Sequence, residues 1–463
     1  MVFTQEAFAP YRERMEAEGL PEIAIRAFAH YYEQLLSGET GLIPESHIAP
    51  VEALPDAEQL SERERQAGIE ALPRTVMLKL NGGLGTSMGL ERAKSLLRVK
   101  QNLTFLDIIA RQALRREMPL VLMNSFSTAE DSRSLLAAYA GVSRTLPLDF
   151  LQHKVPKIAR HTLQPIEWPQ NAQLEWCPPG HGDLYTAIVT SGMLEALLDD
   201  GYRYLFVSNS DNLGAVVDEA ILGYFAANRL PFMMEVADRT PADRKGGHLA
   251  RSREGGLVLR ESAQCPDEDA GAFQDIHRHR YFNTNNLWID LDALQRLLVS
   301  HDGLMGLPMI RNSKTVDPRD PHSTPVYQLE TAMGAAIALF EDAGAIRVPR
   351  SRFAPVKTTN ELLAVQSDAY LLHEDYTIGM HPGRAGQVPV VHLDAAHYRT
   401  VDQLAEHTPH GAPSLEACTS LHVTGRVRFG RGVRLVGDVH IVNRSASPAT
   451  VPDHSVIEGR LEL

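Results

Sequence analysis

Cysteine is scarce in this chain: three residues, Cys177, Cys265 and Cys418, among 463. They are too few and too scattered for a disulfide framework. None forms a CxxC pair, which argues against a thiolate zinc site. The composition therefore points to a reducing compartment, and the expected location is cytoplasmic. An excess of positive charge is also missing, since 45 Lys+Arg face 58 Asp+Glu for a net charge of −13. No global basic field draws such a chain to nucleic acid or to an anionic membrane, so neither is expected as a partner. Long apolar runs are absent, and no window reaches the roughly 18 uncharged residues of a membrane span. The first stretch, MVFTQEAFAPYRERMEAEG, is charged throughout and has no apolar centre, so it does not read as a signal peptide.

What is present is the composition of a folded protein, with 44% hydrophobic and 22% charged residues. At about 100–200 residues per domain the length allows two to four domains, three being the central expectation. A phosphorylated ligand remains possible, but only where Lys, Arg and backbone N–H groups are concentrated locally.

The chain divides by the period of its apolar residues. Residues 1–73 read as an N-terminal helical segment. Phe8, Tyr11 and Met15, then Ile25, Phe28 and Leu35, recur at helical spacing, and Pro21 separates the two helices. From Thr75 the pattern becomes short apolar runs: TVMLKL, LVLMN at 120–124, YLFVSN at 204–209 and FMMEV at 232–236. Helical stretches at 104–117, 132–140 and 183–200 lie between them, and a further amphipathic helix is expected at 327–343. Alternation of buried strands with helices argues for an α/β catalytic domain with a mostly parallel sheet, over 74–370.

The third region, 371–463, has a period of six. Leu421, Val427, Val433 and Val439 form one apolar column, and Val423, Phe429, Leu435 and Ile441 a second. After the insertion SASPAT, Val451, Ile457 and Leu463 resume the step. Such a hexad with intervening glycines predicts a parallel β-helix, the alternative being an antiparallel meander. The seven histidines of 392–454 fit no metal spacing and read as surface residues.

Six motifs carry the chemistry. Leu80-Asn81-Gly82-Gly83-Leu84-Gly85-Thr86-Ser87-Met88-Gly89, then Lys94-Ser95, follows a buried strand. It is neither a Walker P-loop nor GxGxxG in register. Four glycines in eight positions with a lysine downstream suit a polyphosphate better than a bare tight turn. Pro178-Pro179-Gly180-His181-Gly182-Asp183 is a stiff loop with Asp183 placed to cap the next helix, or else a plain connector. Ser208-Asn209-Ser210-Asp211-Asn212 sits at a strand end, where α/β folds place ligand groups; Asp211 suits Mg²⁺, and an Asx-turn is the bland reading. Phe282-Asn283-Thr284-Asn285-Asn286-Leu287-Trp288 is rich in poor strand formers; its amides beside Trp288 could read sugar hydroxyls, and a surface loop is the bland reading. Arg350, Arg352 and Lys357 make either a solvated basic patch or a polyphosphate clamp. The stretch from Glu235 to Gly247 reads as a strand end followed by a mobile loop.

In chain order and separation the motifs closely resemble the eukaryotic-type UTP–glucose-1-phosphate uridylyltransferase (UDP-glucose pyrophosphorylase) family. The likeness covers about residues 75–370, and the terminal hexads fit as well. It implies a nucleotidyltransferase core of glycosyltransferase-A-like, Rossmann-like fold with a C-terminal left-handed parallel β-helix. It also implies the reaction UTP + glucose 1-phosphate ⇌ UDP-glucose + pyrophosphate, with Mg²⁺. Carried over motif by motif, Leu80, Asn81, Gly82 and Gly83 would hold the nucleotide and Lys94 its triphosphate. Gln152 and Gly180 would bind the uracil, and His181 would face the sugar phosphate. Asn209, Ser210, Asp211 and Asn285 would contact the nucleotide sugar, with Asp211 on the metal, and Lys357 would grip phosphate. One departure stands out: Arg92-Ala93 replaces the family's Gly-Pro before Lys94, while the spacing from Leu80 is kept.

The implied chemistry needs no protein nucleophile, because a sugar phosphate attacks the α-phosphorus of UTP in line. Catalysis is then positioning plus electrostatics, with Lys94, Lys357 and Asp211 as the catalytic residues. The sequence leaves open another sugar 1-phosphate (galactose or N-acetylglucosamine) and an inert nucleotide-sugar sensor on the same scaffold. The apolar hexad columns also leave an open β edge at the chain end, which implies a homo-oligomer formed through the β-helix.

Overall fold

The computed structural model describes residues 4–463. The apolar runs become the strands of a ten-stranded mixed sheet. Tyr204–Asn209, Thr75–Asn81, Leu120–Asn124 and Asp149–Leu151 lie side by side and parallel. The long strand Tyr281–Asp290 pairs antiparallel with both Tyr204–Asn209 and Phe232–Asp238. Gly344–Arg347 continues parallel beyond Phe232–Asp238, and Ile48–Pro50, His248–Ser252 and Leu257–Arg260 complete the sheet antiparallel.

These strands are apolar without alternation because both faces are covered. Successive side chains point to opposite faces. Met77, Leu122, Phe206 and Trp288 enter one core. Val76, Leu78, Val121, Leu205 and Val207 enter the other, against the helices Leu184–Thr190 and Met193–Asp199. The first core runs on without interruption into the terminal columns Leu421, Val427, Phe429 and Ile441. The helices Gln5–Ala17 and Glu22–Ser37 pack in a third cluster on Ile158, Cys177 and Leu329.

The C-terminal strands Val390–Leu393, Cys418–Thr424, Arg434–Val442 and Val456–Glu462 pair parallel, as do Val427–Phe429 and Ala449–Val451. Leu421 faces Val439 and Val423 faces Ile441, partners 18 positions (three hexads) apart. Parallel pairing excludes the antiparallel meander for these strands. On the face away from the apolar columns, His392, His422 and His440 stack ring on ring at 4.7 and 4.6 Å. No helix of the described residues is long and apolar enough to cross a membrane.

Three local expectations fail, two because tertiary contacts outweigh local pattern and one because a left-handed glycine breaks the helix. The helix expected at 327–343 is instead the strand Pro325–Glu330 and a 3₁₀ turn Met333–Ala338. Pairing with Ile310–Thr315 takes its backbone bonds. The helix expected at 183–200 breaks at Gly192, which has a φ of 74°. The asparagine-rich segment 282–288 is no surface loop but the buried interior of a ten-residue strand. A loop follows Asp238, as expected. Buried Arg239 donates to the carbonyls of Phe273, His279, Asp243 and Arg244 and pins it.

Candidate active site

The parallel strands deliver two of the motifs to neighbouring strand ends. Asn209 is the register partner of Leu80, and Asn81 that of Asn124. Ser210 N–H donates to Leu80 O at 3.1 Å, so the nucleotide loop and the Asn209–Asp211 segment start side by side. The glycine loop closes on itself through Lys94 N–H to Gly83 O, 3.0 Å. Although Arg92-Ala93 replaces the expected pair, Ala93 is buried, Arg92 is exposed, and the Lys94 ammonium reaches across to Asp211 Oδ2 at 2.6 Å.

Gln152 comes to the same loop from the next strand end. Its N–H donates to Asn124 O at 2.8 Å, and its amide lies where a Cβ on Gly82 would be, within 2.8–3.0 Å. Only glycine at 82 leaves room for that amide. Asn81 differs from expectation in detail. Its side chain donates to Asn124 and Ser132, both at 2.7 Å, and is buried, so only its backbone faces the loop.

The Gly180–Asp183 loop is zipped to Thr331. Gly182 N–H donates to Thr331 O, and Thr331 N–H to Pro179 O, both at 2.9 Å. Gly180 has a φ of +82°, and a Cβ on it would sit 2.4 Å from Thr331 O. Asp183 does not cap the following helix. Its carboxylate accepts from His153 N–H at 2.6 Å and lies 2.9 Å from His153 Nδ1, so the loop is tied to the residue after Gln152. Met333 N–H donates to His181 Nδ1 at 2.9 Å, which leaves the ring proton on Nε2. Burial pushes the His181 pKa down to about 4, so at neutral pH it is a neutral hydrogen-bond donor, not a cation.

On the sugar side, Asn285 has a φ of +59° at an irregularity in the strand, where the register with Glu235 and Val236 shifts. Asn283 and Asn285 bond reciprocally at 2.9 Å. Burial raises the Glu261 carboxyl, while Asn283 and Lys357 act on it in the opposite direction. Asn286 and Trp288 do not join this group. Both are buried and donate to Glu235, at 3.0 and 2.9 Å, and the Trp288 ring packs at a tilt against Phe206, centroids 4.6 Å apart.

The basic segment separates into roles. Arg350 pairs with Asp243 at 2.8 Å, and buried Arg352 forks onto Glu235 at 2.6 and 2.7 Å. Among the described residues only Lys357 of the three cations makes no ion pair, and it is exposed. Beneath the site lies Lys79, buried, its ammonium donating to Ser208 Oγ and Ala215 O, both at 2.7 Å. Burial, then nearby Arg352, lowers its pKa to about 7. Sequence reasoning missed Lys79, Glu261 and Thr331, which carry no local motif. Glu235 did leave a signal, as a carboxylate inside the apolar run FMMEV.

The comparisons with known proteins agree with one another. The profile of the UTP–glucose-1-phosphate uridylyltransferase family matches residues 25–436. A UTP–glucose-1-phosphate uridylyltransferase from Solanum tuberosum is 42% identical over 397 residues, 84% of this chain and 81% of its own. The UDP-glucose pyrophosphorylase from Leishmania major, solved in open and closed structures, superposes with a TM-score of 0.90 at 44% identity over 99% of both chains. A variant of that enzyme solved in complex with UDP-glucose gives the same TM-score and identity, again over 99% of both chains.

Proposed function

This chain belongs to the UTP–glucose-1-phosphate uridylyltransferase family, and we propose from that premise that it converts UTP and glucose 1-phosphate to UDP-glucose and pyrophosphate by in-line uridylyl transfer. The observation that carries the reading is the convergence of Leu80, Gln152, Lys94 and Asp211 at adjacent strand ends. Ligands of α/β sheets bind at such ends.

In this reading Leu80, Asn81, Gly82 and Gly83 cradle the nucleotide, Asn81 through its backbone. Gln152 and Gly180 bind the uracil edge. His181 donates from Nε2 to the sugar phosphate, and Asn209, Ser210, Asp211 and Asn285 hold the nucleotide sugar. The phosphate oxygen of glucose 1-phosphate attacks the α-phosphorus while the pyrophosphate oxygen departs. The nucleophile is already an anion, so no general base is required. The barrier lies in bringing anions together and in the charge on the leaving group, which Lys94 and Lys357 offset. Mg²⁺ would be held by Asp211 and would add positive charge between the phosphates. The chemistry of the donor fits: Asp211 offers a hard carboxylate oxygen, partly exposed beside the glycine loop. One strand-end carboxylate shared with substrate phosphates is the usual way this ion is bound.

We also propose the segments 1–73, 74–370 and 371–463 as helical, catalytic and C-terminal units, the last closing as a left-handed β-helix. The six-residue columns and their 18-residue pairing support that closure. Val456–Glu462 is an edge strand of its sheet, which supports a homo-oligomer joined there. The three free cysteines support a cytoplasmic setting.

Pyrophosphate release across four NTPs and a panel of sugar 1-phosphates tests the activity. Release with UTP and glucose 1-phosphate is the expected result. Preference for galactose or N-acetylglucosamine 1-phosphate would reassign the sugar, and no release with any pair would leave a sensor.

A further inference from the structure

The two segments that bring Asp211 and Lys357 to the site are laced together by groups that face the interior. Val356 N–H donates to Asp211 O at 3.2 Å. Asn212 and Pro355 form an isolated antiparallel bridge. The Asn212 side chain, 1% exposed, accepts from Ala354 N–H at 3.0 Å and donates to Arg352 O at 3.0 Å. The Arg352 guanidinium then reaches under the first segment, donating to Val216 O at 2.8 Å and to both oxygens of Glu235.

Glu235 is fully buried on the neighbouring strand Phe232–Asp238. Its carboxylate also accepts from Asn286 and Trp288, so four donors fix it. A buried ion pair of this kind is weak evidence for stability, since well-packed neutral groups often replace such pairs without loss. Its retention beneath two ligand loops calls for another reason. A bidentate fork allows one geometry, and Arg352 stands five residues before Lys357.

We propose that Glu235 and Arg352, with Asn212, are positioning residues that set Lys357 against Asp211, an inference that rests on the uridylyl-transfer reading. None of the three needs to touch substrate. The clamp acts by holding the Lys357 segment in register with the Asp211 segment, so that both charges meet the same phosphates. A misplacement of about 1 Å at such a site can cost about 10²-fold in rate.

The test is the double variant Glu235→Gln with Arg352→Met, which buries no unpaired charge and leaves an amide oxygen for Trp288 or Asn286. Melting temperature, kcat and both KM values are measured beside the parent. The expected result is a melting temperature within a few degrees of the parent, kcat lower by about 10²-fold, and KM for glucose 1-phosphate little changed. Arg352→Lys, which keeps the charge but loses the fork, is expected to show a smaller fall in kcat at parental stability. Should the double variant not fold, this single variant carries the test. A folded variant with kcat within about twofold of the parent overturns the clamp, as does a fall in kcat that only tracks lost stability. A parent that releases no pyrophosphate overturns the uridylyl-transfer reading instead.

Discussion

Lys94 Nζ and Asp211 Oδ2 stand 2.6 Å apart, joining the end of the glycine loop to the strand end 117 residues further along the chain. The two opposite charges neutralise each other in this pair. With substrate the two would part, the ammonium to phosphate and the carboxylate to metal. This contact puts both proposed charged groups within reach of one triphosphate.

Asp211→Ala is expected to remove nearly all turnover, about 10²–10³-fold, while the fold stays intact. The Asp211 side chain is 18% exposed and that of Lys94 15%, so the freed ammonium can be solvated. Steady-state kinetics at saturating Mg²⁺ together with a thermal melt check this. Near-parental kcat would refute the metal role.

Lys94→Ala and Lys357→Ala are each expected to lower kcat strongly and to disturb UTP handling more than the KM for glucose 1-phosphate. Lys357 is the cation of its segment left without an ion pair, so its loss should leave the melting temperature almost unchanged. Unchanged kinetics in Lys94→Ala would show that exposed Arg92 has taken over the contact.

Gly82→Ala is expected to raise the KM for UTP and relax base choice without unfolding the chain, because its Cβ meets the flexible Gln152 amide. Gly180→Ala should cost more. It places a Cβ 2.4 Å from a backbone oxygen at φ 82° and ψ 171°, an essentially glycine-only region where an L side chain alone costs on the order of 1–3 kcal/mol. UTP kinetics separate the first effect, and chemical denaturation measures the second.

The pH dependence follows from His181. Its folded pKa, about 4, lies below the ordinary value of 6.5, so the unfolded chain binds more protons between those values. The stability it contributes is complete above pH 6.5 and is lost as pH falls toward 4. Denaturation midpoints at pH 7 and pH 4.5 are expected to differ more in the parent than in His181→Gln. Equal differences would refute the assignment.

The edge strand Val456–Glu462 predicts self-association. Light scattering at micromolar concentration should give a mass above one chain, reduced to a single chain when residues 443–463 are deleted. A monomeric mass in both would rule this assembly out.

Much of the fold was legible along the chain because its signals are local. An unbroken apolar run reads as a strand covered on both faces, and 120–124 and 204–209 are strands at the expected limits. A step of six reads as stacked parallel strands whichever residues carry it. The glycine loop and the Asp211 segment stood out because their residue types are poor choices for the interior of a strand or helix. Their meeting was not legible. It depends on the register of Leu80 with Asn209, which no local pattern encodes. Tertiary structure also decided which polar groups are spent inside. The amides beside Trp288 look able to meet sugar hydroxyls in sequence, yet Asn286, like Trp288 itself, is a core donor to Glu235 in space. Asp183 reads as a helix cap and instead holds His153. The physical reason is common to these cases. A buried donor or acceptor must find a partner, and that partner is supplied by whichever distant segment folding brings beside it.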